Sequence, residues 1–277
     1  MRYFILILCL LFCFYGCEDV IEPELSETLR NIVIDGQIHT FYGDESGITR
    51  VFVQIQYSNP YFVENIDYVN DADIILVNLN TNDTLLFDSK NVSNGLYRLK
   101  QPLADFDKMA SYELTVLHKN QIFRATNHWQ RTVSIDTIVN LGPIALDEFD
   151  RAELKVYFTD LSDRKDYYLA TVTSYEEPLL FDDRFFNGNQ FSFSIYPVRK
   201  NSSKDTLSGA VILQGVDPSY FTYWDILLEL GNPAISGPFA TPRPNSYGNF
   251  INVSDKTNPP FGYFAISEID RYTFNFQ

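Results

Sequence analysis

Cysteine, histidine, methionine and tryptophan are scarce in this chain of 277 residues. Cysteine occurs three times, at Cys9, Cys13 and Cys17, and not again. Beyond residue 17 there is therefore no disulfide, no thiolate metal site and no thiol nucleophile. The three histidines, His39, His118 and His128, show no ligand spacing such as i, i+4 on a helix. His118 falls in an expected hairpin turn and His128 behind a strand, so solvated turn residues are the simpler reading of both. Basic residues are also in deficit, with 21 Lys and Arg against 36 Asp and Glu and a net charge of -15. A chain so negative lacks the positive field that nucleic-acid binding needs. There is no Gly-X-Ser-X-Gly elbow, no phosphate-binding glycine loop and no His-Glu-X-X-His. No long segment carries a helical apolar period. What is abundant is aromatic: 23 Phe and 18 Tyr raise the aromatic share to 16%, a composition that suits strands.

Arg2 precedes an apolar run from Phe4 to Tyr15, ending in Gly16-Cys17. The run is too short for a membrane-spanning helix, which needs roughly 20 residues, and has the length of a signal-peptide core. The end of the run resembles a bacterial lipobox, although Phe14 and Tyr15 replace the usual leucine and small residue. Cys17 is then the lipidation site, and several acyl chains make such an anchor effectively permanent. Residues 1–16 are read as a lipoprotein signal peptide. Residues 17–29 follow as an acidic tether with Glu18, Asp19, Glu22, Glu24 and Glu27 around Pro23.

Short alternating runs separated by turn residues fill the rest. Between residues 30 and 133 these are 31–38, 51–57, 73–79, 84–87, 95–99, 111–117 and 121–126, spaced like an immunoglobulin-like or transthyretin-like β-sandwich. Asp35-Gly36 reads as a bulge or bend inside the first. Residues 132–143 read as a connection into a C-terminal β-rich domain, 134–277. Its expected strands are 153–159, 167–175, 191–198 and 207–214. Asp217 as N-cap and Pro218 as first helical residue open a helix, with Tyr220, Tyr223, Trp224, Leu227 and Leu228 at helical spacing and Gly231 at its end. Residues 231–260 read as a long loop, and 261–267 and 271–276 as terminal strands. The expected fold is all-β: two β-sandwich units with one short helix in the second.

Carboxylates supply the candidates for chemistry. Asp160, Asp163 and Asp166 recur every three residues in a turn, but without the glycine and final glutamate of a calcium loop. Asp182-Asp183 and Asp147-Glu148-Asp150 are paired acids of the kind a glycoside hydrolase uses, with nothing to fix their separation. Solvated acidic turns are the simpler reading. No catalytic residue, metal or cofactor is expected. Aromatics in loop-like stretches, Tyr61-Phe62, Phe185-Phe186 and Tyr247-Phe250, either stack on a ligand or close the sandwich ends. Phe185, Phe186, Trp224 and Tyr247 are the candidate ligand or partner contacts. Three Asp-Thr-aliphatic triplets, at Asp83, Asp136 and Asp205, are similar to O-glycosylation sites of exported Bacteroidetes proteins.

The order of the motifs resembles a family of Bacteroidetes lipoproteins known as domain of unknown function 4249. The resemblance rests on Cys17 with its acidic tail, Ile34-Asp35-Gly36-Gln37-Ile38, Val156-Tyr157-Phe158-Thr159-Asp160 followed by Tyr167-Tyr168, the 242–252 segment, and Phe261-Gly262-Tyr263-Phe264. The family carries a glycine-rich Asn-X-X-Gly-Gly where this chain has Asn245-Ser246-Tyr247-Gly248-Asn249. The resemblance implies a non-enzymatic lipoprotein of the outer membrane, anchored through lipid and facing the cell exterior. Its implied partner is a TonB-dependent receptor, and its implied role is nutrient uptake. A surface glycan hydrolase built on Asp182 and Asp183, and an adhesin-like structural protein, are the alternatives.

Overall fold

Ile32, Ile34 and Ile38 on one face, with Asp35, Gln37 and His39 on the other, make β1 (Ile32–Phe41) the organising strand of the molecule. The computed structural model describes residues 30–44, 48–59, 65–100, 103, 106–144, 151–173, 175, 177–198, 207–231 and 246–276. Cys17, the tether, Tyr61-Phe62, Asp147-Glu148-Asp150, Asp205 and residues 232–245 lie outside them. After β1 come β2 (Arg50–Tyr57), β3 (Asp73–Asn78), β4 (Thr84–Leu86), β5 (Leu96–Arg98), β6 (Ser111–His118) and β7 (Gln121–His128). The chain continues with β8 (Ile135–Pro143), β9 (Ala152–Thr159), β10 (Tyr167–Val172), β11 (Leu179–Asp182), β12 (Gln190–Ile195) and β13 (Leu207–Gly215). Helix α1 (Pro218–Gly231), β14 (Ile251–Asn252) and β15 (Phe264–Phe276) complete it.

The fold is all-β and of sandwich type. A seven-stranded sheet, ordered β11-β10-β13-β15-β1-β2-β5, is covered on one face by two smaller sheets, β14-β7-β6-β3-β4 and β12-β9-β8. The first smaller sheet encloses a core of Ile34, Ile38, Ile55, Leu76, Leu114 and Phe123. The second encloses Leu154, Phe158, Tyr168, Leu213 and Phe274. β15 joins the two cores. It runs parallel to β1 from Phe264 to Ile269 and antiparallel to β13 from Ile269 to Phe276. Its even-numbered residues share one face, so Phe264 and Ile266 enter the first core and Phe274 the second. The residue 133/134 boundary falls between β7 and β8, and the seven-stranded sheet draws strands from both sides of it.

Several local expectations change. Asp35-Gly36 is no bend: Asp35 pairs with Gln54, and Gly36 with both Val53 and Phe264. Glycine is needed there because the sheets approach closely; a Cβ on Gly36 would lie 2.6 Å from Leu114 Cδ2. Residues 135–143 form a strand rather than a connection, with register shifts after Ile135 and Asn140 that erase the two-residue period. The two expected terminal strands are one, because Glu268 is buried and satisfied by Lys108 Nζ at 2.9 Å and the Thr132 amide at 3.3 Å. The described part of the long loop, residues 246–260, is packed against the body. Phe250 and Asn252 are buried, and the Asn249 side chain bonds both the amide and the carbonyl of Phe264.

Candidate functional site

Because the even-numbered residues of β1 fill the core, its odd-numbered Asp35, Gln37 and His39 face the outer side of the central sheet. Register places Gln54, Phe52 and Arg50 of β2 beside them in that order, and Ala265 and Ser267 of β15 beside Gln37 and His39. Helix α1 lies over this face. Its N-cap Asp217 accepts the backbone N–H groups of Ser219 at 2.9 Å and Tyr220 at 3.0 Å. The same carboxylate accepts the Tyr263 hydroxyl at 2.9 Å and the Asn127 amide at 3.1 Å, tying the helix to β7 and to the approach to β15. Under this cap, Leu169, Val216, Tyr263, Ala265 and Tyr220 form a small apolar cluster.

Tyr220, Tyr223 and Trp224 follow at i, i+3 and i+4 on one helix face. The two tyrosine rings are nearly parallel, 10° apart with centroids at 6.2 Å. Trp224 stands across both at 74° and 77°, each centroid 6.4 Å away. Gln37 joins strand to helix: its Nε2 donates to Asp35 Oδ1 at 2.7 Å and to the Tyr220 hydroxyl at 2.9 Å. Both amide hydrogens are thereby used, while Gln37 Oε1 is buried without a partner, in a residue only 6% exposed. Trp224 Nε1 is also buried, turned toward the Tyr220 hydroxyl. Burial holds the Asp35 carboxyl above the usual carboxylate range, against the lowering effect of Gln37. Burial first, and the Asp35 charge second, raise the Tyr220 hydroxyl and push that of Tyr223 to about 12.

His39 lies further along the same face. Burial and the nearby Arg50 depress its imidazole to about 4, its Nε2 has no partner, and its ring meets Phe52 edge-on at 5.6 Å. Beyond Phe52 the face opens into a groove of about 700 Å³ lined by Arg50, Phe52, Gln54, Leu96 and Arg98 among others. The outer face thus carries an acidic, aromatic cluster beneath α1, with Tyr263 packed on Tyr220 at 4.6 Å and on Tyr223 at 5.5 Å, and a basic, aromatic groove at the β2–β5 end.

Of the contacts expected from sequence, Trp224 belongs to the cluster beneath α1. Phe186 is 6% exposed and stacks on Phe191 at 4.2 Å inside the second core. Phe185 is 93% exposed, with the Arg184 guanidinium 5.9 Å from its ring. Tyr247 is partly exposed and stacks on Phe261 at 5.3 Å. The structure therefore does not gather the four at one place.

The acidic turns at 160–166 and 182–183 are bonded into the fold. Asp160 is buried and accepts the Tyr168 hydroxyl and the Gly188 amide. Asp166 is buried between Arg131 at 3.1 Å and Arg164 at 2.7 Å, and Asp163 pairs with the same Arg131. Asp163 alone of the three is a solvated tip residue. Asp182 caps a 3₁₀ turn and binds Arg184 at 2.8 Å, while buried Asp183 accepts the Asp166 amide at 2.7 Å. Among the described residues no group of three His, Cys, Asp or Glu is placed to hold a metal ion. His118 is not a turn residue either. It ends β6, is 6% exposed, and sits with Nε2 2.8 Å from the Tyr57 hydroxyl and Nδ1 3.2 Å from Asp71. The turn consists of Lys119 and Asn120, both with positive φ, as a two-residue hairpin requires.

Asp35, Gln37 and His39 were not singled out from sequence as site residues, yet a signal exists. Their strand buries isoleucine on one face and sets three polar side chains at i, i+2 and i+4 on the other. Polar groups in a strand flanked on both sides have to be satisfied by something laid on top of them.

Among the described residues no helix is long and apolar enough to cross a membrane. No curated protein matches the chain. Residues 18–273 match the family model described as "Domain of unknown function (DUF4249)". With nearly its whole length covered, the chain belongs to the DUF4249 family.

Proposed function

We propose that this protein is a non-enzymatic lipoprotein of the outer-membrane surface that holds a ligand for a TonB-dependent receptor. The observation that carries the reading lies on the sheet face beneath α1, where Gln37 Oε1 is buried without a partner beside Asp35. A buried polar atom left unpaired costs about 1–3 kcal/mol, and the aromatic rings beside Gln37 Oε1 suit a ligand that completes it. Anchoring through Cys17 and the acidic tether would hold that face at the membrane surface. The receptor partnership follows from the family resemblance. The test is a mild-detergent pull-down of the tagged protein from its native membrane, with Cys17→Ala as control. The expected result is a stoichiometric TonB-dependent receptor with the wild type and none with the unanchored variant. A surface-anchored wild type that brings no receptor overturns the reading.

A further inference from the structure

We infer that the pocket of Asp35, Gln37, Tyr220, Tyr223 and Trp224 takes an organic ammonium group, a primary amine carried on an apolar chain. The inference deepens the ligand-holding reading and rests on it. Three features of the pocket select this chemistry. First, its unfilled capacity is mainly for donors. Gln37 has used both amide hydrogens, and its Oε1 awaits an N–H or O–H. The Asp35 carboxylate receives the Gln37 amide alone among the described side chains. A primary ammonium brings three N–H donors and no acceptor.

Second, Asp35 offers a buried carboxyl group with no ionic partner, and a cation beside it would favour its charged form. Among the described residues it forms no ion pair, and no cation offsets its burial. His39, four residues along the same strand, is held neutral at pH 7 by burial and Arg50, and the guanidinium of Arg50 lies over the Phe41 ring, 5.0 Å from its centroid. An anionic ligand head is therefore disfavoured at Asp35, whereas a cation completes the pair. Third, Tyr220 and Tyr223 stand nearly parallel with Trp224 across them. Aromatic faces attract a cation, most strongly when water is excluded, and tryptophan is the best of them. A sugar would use the same rings, but it also needs donors for its own oxygens. Here the Gln37 amide hydrogens are used, and Trp224 Nε1 is turned to the Tyr220 hydroxyl.

The probe is cadaverine, compared with its neutral isostere 1,5-pentanediol and with maltotriose, titrated into the full-length detergent-solubilised lipoprotein. Binding is read by calorimetry and by tryptophan fluorescence. The expected result is cadaverine binding in or below the millimolar range, with the diol and the trisaccharide at least about tenfold weaker. Asp35→Asn, of the same shape, should weaken cadaverine by at least about tenfold without lowering the melting temperature of the free protein. Trp224→Phe should remove the fluorescence change. The inference is overturned if the neutral probes bind as well as cadaverine, if Asp35→Asn binds it unchanged, or if cadaverine does not bind at about 10 mM. A receptor that co-purifies while cadaverine fails removes the ammonium inference alone. Cadaverine binding without a co-purifying receptor removes the transport partnership alone.

Discussion

Asp217 carries more of the pocket than any other side chain, and replacing it with alanine tests whether α1 is held where the pocket needs it. One carboxylate oxygen caps two helix amides and accepts the Tyr263 hydroxyl, and the other accepts the Asn127 amide. Loss of an N-cap of this type costs about 1 kcal/mol. Asp217→Ala also leaves the buried Tyr263 hydroxyl without its acceptor, a loss of about 1–3 kcal/mol. Asn127 keeps one partner, since its amide also donates to the Phe264 carbonyl at 2.8 Å. The sum is about 3 kcal/mol. At about 2–4 °C per kcal/mol for a chain of this size, the melting temperature should fall by roughly 6–12 °C. Calorimetry and urea unfolding followed by far-UV circular dichroism measure the loss, and Trp224 fluorescence reports the helix directly. Asp217→Asn keeps an acceptor for the helix amides and should lose less than half as much. A loss under about 1 kcal/mol for Asp217→Ala would refute the reasoning, because the network would then not be holding the helix.

Three further outcomes follow from the same geometry. Asp35→Asn should raise the stability of the ligand-free protein at pH 7. Burial raises the folded carboxyl above its unfolded value of 3.8, so the ionised group costs stability at neutral pH. That cost disappears as pH falls towards 3.8, so the variant's gain, read from melting temperatures across pH, should shrink to nothing there. His39 works in the opposite sense: its folded value of about 4 lies below the unfolded 6.5, so its contribution is complete above 6.5 and lost as pH drops to about 4. The full loss is about 3 kcal/mol, and His39→Gln should flatten that part of the stability profile, with His118 adding a smaller loss of the same sign. Gly262→Ala should destabilise by roughly 3 kcal/mol or more in urea unfolding, because Gly262 has φ +99° and a Cβ there would lie 2.0 Å from the Ile34 carbonyl oxygen. Normal stability in that variant would contradict the close passage of β1 past the residues leading into β15.

The sequence made the strands and the helix legible where period and punctuation agree. Alternation marks β2, β6 and β9, and Asp217-Pro218 with aromatic residues three and four apart marks α1. It failed where alternation is broken by bulges, as in β8, and where a buried charge resembles a turn, as with Glu268 in β15. The joining of both sandwiches through β15 was not legible, because pairing between residues more than two hundred positions apart leaves no local pattern. For the candidate site, Trp224 was visible as an aromatic on a helix. Asp35, Gln37 and His39 were hidden because a strand buried on one face commonly sets polar residues towards solvent. Only the helix laid across that face turns them into a pocket. Acidic turns misled in the other direction: Asp160 and Asp166 look solvated in sequence, but Tyr168, eight residues beyond Asp160, and Arg131, thirty-five residues before Asp166, bury and satisfy them.

The central question is whether a bound molecule reaches Gln37 Oε1. The most direct measurement is a high-resolution crystal structure of the lipoprotein purified from its own outer membrane without a stripping step. The predicted result is a bound molecule with a nitrogen about 3 Å from Gln37 Oε1 and its body against Trp224. Only ordered water at Gln37 Oε1 and Trp224 Nε1, or a ligand seated in the Arg50–Phe52–Arg98 groove instead, would contradict it.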